Sequence, residues 1–245
     1  MQYWFMASIL LLSADICPNP GWTYSVLNSP GLKIAHLNIR SLPKHLNEFR
    51  ILMADNPFDV MCLSETWLNS TWSDTELHID GYNIIRRDRD DSQRGGGTAI
   101  FYSTKFMARQ RSDHFIQDIE TVWLELTLPN RKKILICSLY KPPNANFDAF
   151  KASLVNVLEQ LASEGVETLV FGDFHCDMLP KRLPKISKEL MQLLNMYQFD
   201  QLIKQPTHIS VHSSTTIDLA FTYDAEKIIK SGVLQCSISD HSLIF

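Results

Sequence analysis

With 245 residues, 45% of them hydrophobic and 20% charged, the chain has apolar material for one large domain or two small ones, which excludes a disordered protein. The formal net charge is −4, from 23 basic and 27 acidic residues, so bulk electrostatics alone cannot hold it on nucleic acid; a cation site built from carboxylates and local basic patches remain open to it. Five cysteines without a C-x-x-C pair exclude a zinc ribbon and a disulfide framework, and they point to a reducing intracellular compartment, nuclear or cytoplasmic.

Residues 1–30 read as an N-terminal extension closed by the turn residues around Ser29-Pro30-Gly31. Its apolar run, WFMASILLLSA, has signal-peptide length but no lysine or arginine before it, and is too short to span a bilayer as a helix. No stable membrane association is expected, and secretion is the weaker alternative. The next eight residues, DICPNPGW, resemble a ribosome-skipping 2A-type peptide at Asp15, Ile16, Asn19, Pro20 and Gly21. They depart from it at Cys17 and Trp22, so a decayed copy is the preferred reading.

From residue 31 strands and helices alternate. LKIAHLN (32–38) is a short β-branched and apolar run, hence a strand. LPKHLNEFRILMA (42–54) places Leu46, Phe49, Ile51 and Met53 among polar residues, roughly on a helical stripe, with Pro43 suited to a first turn. FDVMCLSET (58–66) is a buried strand ending on Glu65. YNIIRRD and GTAIFYS are strands about the Gly95-Gly96-Gly97 turn, and TVWLELTL and KKILICSLY form a hairpin around PNR. Residues 147–165 form an amphipathic helix with Gly165 just past its end. TLVFGDF, a helix over 186–197, and the strands TIDLAFT and SGVLQCSI complete the pattern. Cys62 and Cys137 fall inside apolar strands and read as core residues. The order predicts an α/β protein with mixed sheets.

Several of these strands finish on a chemically useful side chain: Asn38, Glu65, Tyr140, Asp173 and the pair Asp240-His241. A rigid sheet that aims five such groups from distant parts of the chain gathers them around one crevice. The ordered set HLNIRSL, LSETWL, RGGGTAIFY, SLYKPP, VFGDF, TIDLAFT and SDHSLIF resembles the endonuclease/exonuclease/phosphatase superfamily. Within it the likeness is greatest to the apurinic-like endonuclease domain of non-LTR retrotransposons, and it covers residues 31–245.

The resemblance implies a four-layer α/β sandwich, two mixed β-sheets packed face to face with helices outside, whose last strand is cut short at Phe245. It implies a Mg²⁺-dependent phosphodiesterase, with Mn²⁺ as the alternative ion, that nicks DNA as part of a larger reverse transcriptase polyprotein. Glu65 and Asn38 would hold the metal with their oxygens, joined by Asp240, which either contacts metal or orients its neighbours. Asp218 would orient His241, which with Tyr140 would hydrogen-bond a phosphate oxygen; Asp173 would handle a proton. At the fourth motif the family has asparagine and this chain has His175, which is expected to leave the fold intact and lower activity. Arg40 stands where some apurinic endonucleases carry a metal-binding aspartate. Two other readings stay open: an inactive relic with weak DNA binding, and a phosphatase- or sphingomyelinase-like phosphoesterase.

Outside these motifs, His36, His45, His78, His114, His208 and His212 have no mutual ligand spacing and read as ordinary histidines. Arg86, Arg87 and Arg94 are interleaved with aspartates, a pattern of a solvated loop, with phosphate contact as the weaker alternative.

Overall fold

The computed structural model describes residues 29–56, 58–89, 95–113 and 119–245. The apolar and 2A-like stretches, Arg94 and His114 lie outside the described residues. In chain order the elements are β1 (Ile34–Asn38), α1 (Leu46–Asp55), β2 (Val60–Ser64), β3 (Tyr82–Arg87), β4 (Thr98–Ser103), β5 (Met107–Gln110), β6 (Glu120–Thr127) and β7 (Lys133–Tyr140). They continue with α2 (Phe147–Glu164), β8 (Glu167–Asp173), α3 (Lys185–Met196), β9 (Asp200–Gln201), β10 (His208–Ile209), β11 (Ser214–Thr215), β12 (Asp218–Thr222), β13 (Val233–Leu234) and β14 (Leu243–Ile244).

The strands form two six-stranded sheets, ordered β13-β14-β1-β2-β4-β3 and β5-β6-β7-β8-β12-β9, with β10 and β11 as a separate hairpin. Both large sheets are mixed: β1 runs parallel to β2 and β7 parallel to β8, while their other pairs are antiparallel. Side-chain alternation assigns each face. Ala35, Leu37, Met61 and Leu63 point outward to Phe49, Leu52 and Met53 of α1. Trp123, Leu135, Cys137, Val170 and Phe221 point to α2 and α3 on the far side. Val60, Cys62, Ile100, Leu124, Ile136 and Phe171 meet between the sheets. These layers make the expected four-layer sandwich.

The amphipathic helix ends as read. Asn146 accepts from the backbone N–H groups of Asp148 and Ala149 at 2.9 and 3.1 Å, and Gly165 stops the helix at φ 61°. Two elements are shorter than expected. Helix α1 starts at Leu46 rather than residue 42, because Ser41 and Leu42 donate their N–H groups to the carbonyls of Glu65 and Thr66. The run SGVLQCSI keeps only Val233–Leu234 as strand, since it pairs with just two residues of β14.

The inter-sheet layer changes chemistry along its length. It is Ile34, Val60, Ile134 and Leu169 at one end. At the other, the same alternation brings His36, Asn38, Ser64, Ser138 and Asp173 inward, all fully buried. Strand β12 runs antiparallel to β8, so its first residue, Asp218, pairs in register with Asp173.

Candidate active site

The loops that carry the motif residues are held in a backbone conformation that side chains rarely adopt. Seven non-glycine residues among those described have positive φ, and five of them follow β1, β2 and β8: Arg40, Ser41, Glu65, Trp67 and His175. Backbone strain of this kind concentrates where a side chain must be aimed. The glycine motif supports it. Gly95, Gly96 and Gly97 all have positive φ, and a Cβ on Gly97 would stand 2.4 Å from Thr66 Oγ1, next to Glu65. In β8 a Cβ on Gly172 would meet the Leu139 carbonyl oxygen at 2.1 Å, which is why glycine precedes Asp173.

Asn38 joins the two sheets. Its amide nitrogen donates to Glu65 Oε1 at 3.0 Å and to Asp173 Oδ2 at 2.9 Å, while its oxygen accepts from the Arg40 N–H at 3.2 Å. The orientation follows from its partners, since only a nitrogen can donate to two carboxylates. Glu65 also accepts from Trp67 Nε1 at 3.1 Å. Asn38 thus ties Glu65 to Asp173 through its nitrogen and keeps the second lone pair of its oxygen. Carboxylate and amide oxygens are the hard donors that Mg²⁺ takes. The donor set fits a divalent cation, which Glu65 and Asn38 would hold.

On the opposite wall, two fully buried carboxylates, Asp173 and Asp218, face each other in register. Uncompensated, that pairing is expensive. His241 offsets it: its Nδ1 lies 2.8 Å from Asp218 Oδ2. Burial works against a charge on the ring, but Asp218, Asp173 and Asp240 outweigh it and lift His241 to about 9. Tyr140 pairs with Asp173 across β7 and β8. Burial, and then Glu65, Asp173 and Glu120, push its hydroxyl upward, so it stays a protonated donor.

His175 takes the left-handed conformation with φ 47°, a region that asparagine and histidine tolerate better than most residues. Its backbone N–H donates to Asp173 Oδ1 at 3.0 Å, and its ring Nδ1 lies at 3.0 Å from the same oxygen. The ring approach is poorly directed for a hydrogen bond, so it acts as an ion contact when the imidazole is protonated. Burial opposes that protonation, but the carboxylates of Asp173 and Glu65 prevail and the ring is raised above its ordinary value.

Asp240 is held by two neighbouring side chains. Arg40 Nη1 binds its Oδ2, and His208 Nε2 lies 3.3 Å from the same atom. Three residues outside the expected set belong to the surroundings of the site. His36 is fully buried with Nε2 at 3.1 Å from Ser64 Oγ. Thr207 accepts from the N–H groups of Ile217 and Asp218 at 3.2 and 3.1 Å, which fixes the start of β12. The His208 ring packs on His241 with centroids 4.7 Å apart. Strand periodicity in IAHLN carried the signal for His36; nothing local marked Thr207 or His208. Arg86 is taken up by Asp74 and Asp88 at 2.8 and 2.6 Å, and Arg87 by the Ile119 carbonyl at 2.6 Å.

Comparison with known proteins gives a matching picture. Residues 134–245 match the family described as endonuclease-reverse transcriptase. No curated protein sequence matches the chain. Among solved structures, the endonuclease domain of TRAS1, a telomere-specific non-LTR retrotransposon, is 13% identical with a TM-score of 0.69, over 87% of this chain and 96% of that one. The AP endonuclease LMAP from Leishmania major is 13% identical with a TM-score of 0.73, over 91% and 97%. The 3′ phosphatase NExo from Neisseria, bound to product DNA hairpin, is 16% identical with a TM-score of 0.66, over 87% and 98%. The chain therefore shares the fold of these structures, and its residues 134–245 match the endonuclease-reverse transcriptase family.

Proposed function

We infer that this chain is a Mg²⁺-dependent DNA endonuclease that nicks one strand and leaves a 3′-hydroxyl, as the cutting domain of a longer reverse transcriptase polyprotein. The observation that carries the reading is the Asp218–His241 pair at 2.8 Å, set in one buried network with Asp173, Asn38 and Glu65. The family description of residues 134–245 and the DNA-bound NExo structure support DNA as the substrate.

The side chains divide the work. Asp218 holds Nδ1 of His241, so Nε2 is left to donate to a non-bridging phosphate oxygen, and the ring is charged at neutral pH. Tyr140 donates a second hydrogen bond to the same phosphate. Fixed donors of this kind stabilise the charge that builds up as the phosphodiester is attacked. Asp173, at the centre of the network, positions the attacking water and receives its proton. The cation, when held by Glu65 and Asn38, neutralises phosphate charge.

One observation favours a slow enzyme. His175, in the asparagine position, sets its ring Nδ1 3.0 Å from Asp173 Oδ1 and so competes for the group that should take the proton.

The test is incubation with supercoiled plasmid and Mg²⁺, followed by extension of the products with a DNA polymerase. The reading expects open circles whose nicks are extended directly. Absence of nicking, or nicks that require removal of a 3′-phosphate first, would count against it.

A further inference from the structure

Beside the phosphate-facing side of His241 lies a second set of donors, different in kind from the oxygen set at Glu65. His208, Asp240 and His241 each offer one ligand atom, and all three atoms lie within 4.8 Å of one another. The closest pair, His208 Nε2 and Asp240 Oδ2, is 3.3 Å apart. Ligand atoms around tetrahedral zinc sit about 3.3–3.6 Å apart, given bonds of roughly 2.0–2.2 Å, so closing the set takes shifts of about 1.5 Å or less. Two imidazoles and a carboxylate prefer Zn²⁺ to Mg²⁺.

Three features around the set favour a metal. His241 Nδ1 is engaged by Asp218 at 2.8 Å, which leaves Nε2 free and supplies the carboxylate–histidine–metal arrangement that orients and strengthens such ligands. Asp173, Asp218 and Asp240 put three carboxylates here against one guanidinium, that of Arg40. Arg40 and His208 are also in positions to move: the Arg40 side chain is 48% exposed, and His208, at 24%, is carried on the β10–β11 hairpin. Arg40 holds Asp240 Oδ2 in this structure and must swing out for the ion to enter.

We propose that His208, Asp240 and His241 form a zinc-binding site, separate from the oxygen donors Glu65 and Asn38, with a fourth position left to water or a phosphate oxygen. The binding claim is independent of the nuclease reading. Where that reading also holds, zinc takes His241 Nε2 away from the phosphate and inhibits.

Titration of the purified chain with Zn²⁺, and with Co²⁺ as its coloured stand-in, tests the site. One equivalent should bind, giving Co²⁺ the intense visible bands of a four-coordinate ion, and excess Mg²⁺ should not displace it. His208→Ala and Asp240→Asn should each weaken binding about tenfold or more. His208→Cys, whose thiolate is a good zinc ligand, should restore it. Glu65→Gln should bind zinc as the parent does, and melting curves without metal identify any variant that has lost its fold. No zinc binding by the parent, parent-like binding by folded His208→Ala, or loss of binding in folded Glu65→Gln would each overturn the proposal. A plasmid assay with and without Zn²⁺ then separates the two claims, because binding without inhibition contradicts only the inhibitory role.

Discussion

The two ends of the sandwich differ more than their shapes suggest. One end has a hollow of about 860 Å³, bounded by Arg131, Lys132, Glu167, Tyr223 and Lys227. Its charges are met at the surface: Lys227, about half exposed, pairs with Glu167 and Asp224 at 3.0 and 2.7 Å. Pairs of this kind contribute little to stability and shift easily. The other end has fully buried Asp173, held by Asn38, fully buried Asp218, held by a nearly buried His241, and five strained loop residues. Charge paired at the surface around an open hollow marks the first end, and unusual backbone with buried, mutually dependent charge marks the second. The second pattern is the one that chemistry needs.

The largest expected difference between the ends comes from Asp218→Asn. It frees the His241 ring to take the wrong tautomer, and nicking should fall by about 10²–10⁴-fold. The same change has a signature in stability. Asp218 and its neighbours raise His241 from 6.5 to about 9, so their contribution is fully present below pH 6.5 and is lost as pH rises through about 9. The gap in melting temperature between parent and variant should therefore shrink over that window. A gap that widens would break the account of this pair.

A smaller effect in the opposite direction is expected from His175→Asn. It relieves the contact on Asp173 Oδ1 and keeps a residue that tolerates φ 47°, so nicking should speed up by about tenfold. A variant no faster than the parent would show that His175 is not what limits the site. The smallest effect belongs to the far end. Arg131→Ala with Lys132→Ala, both exposed, should change the nicking rate by less than about twofold and leave the salt slope of DNA binding as it was. A slope reduced by about two would move the DNA interface to the basic hollow.

Much of this contrast could be read from residue order. The short apolar and β-branched runs LKIAHLN, FDVMCLSET and KKILICSLY identified the strands and put Asn38 and Tyr140 at their ends. The glycine triplet was visible as a tight turn, whereas the close strand contact at Gly172 was not. Other features depend on tertiary placement and had no local signal. The register that sets Asp218 opposite Asp173 is decided by how β12 returns along β8. Asn38 turns its nitrogen, and not its oxygen, toward the carboxylates because three separate loops converge on it. His208 looked ordinary because its partners lie more than thirty residues away, as the 32-residue separation from Asp240 shows.

The most direct measurement is single-turnover nicking of supercoiled plasmid in Mg²⁺ by the parent, Glu65→Ala and the Arg131→Ala/Lys132→Ala double variant, side by side. The account predicts open circles from the parent and the double variant at rates within about twofold of each other. It predicts a loss of about 10²–10³-fold in Glu65→Ala, the effect of removing one group that stabilises phosphate charge. Equal nicking by Glu65→Ala and the parent would contradict it.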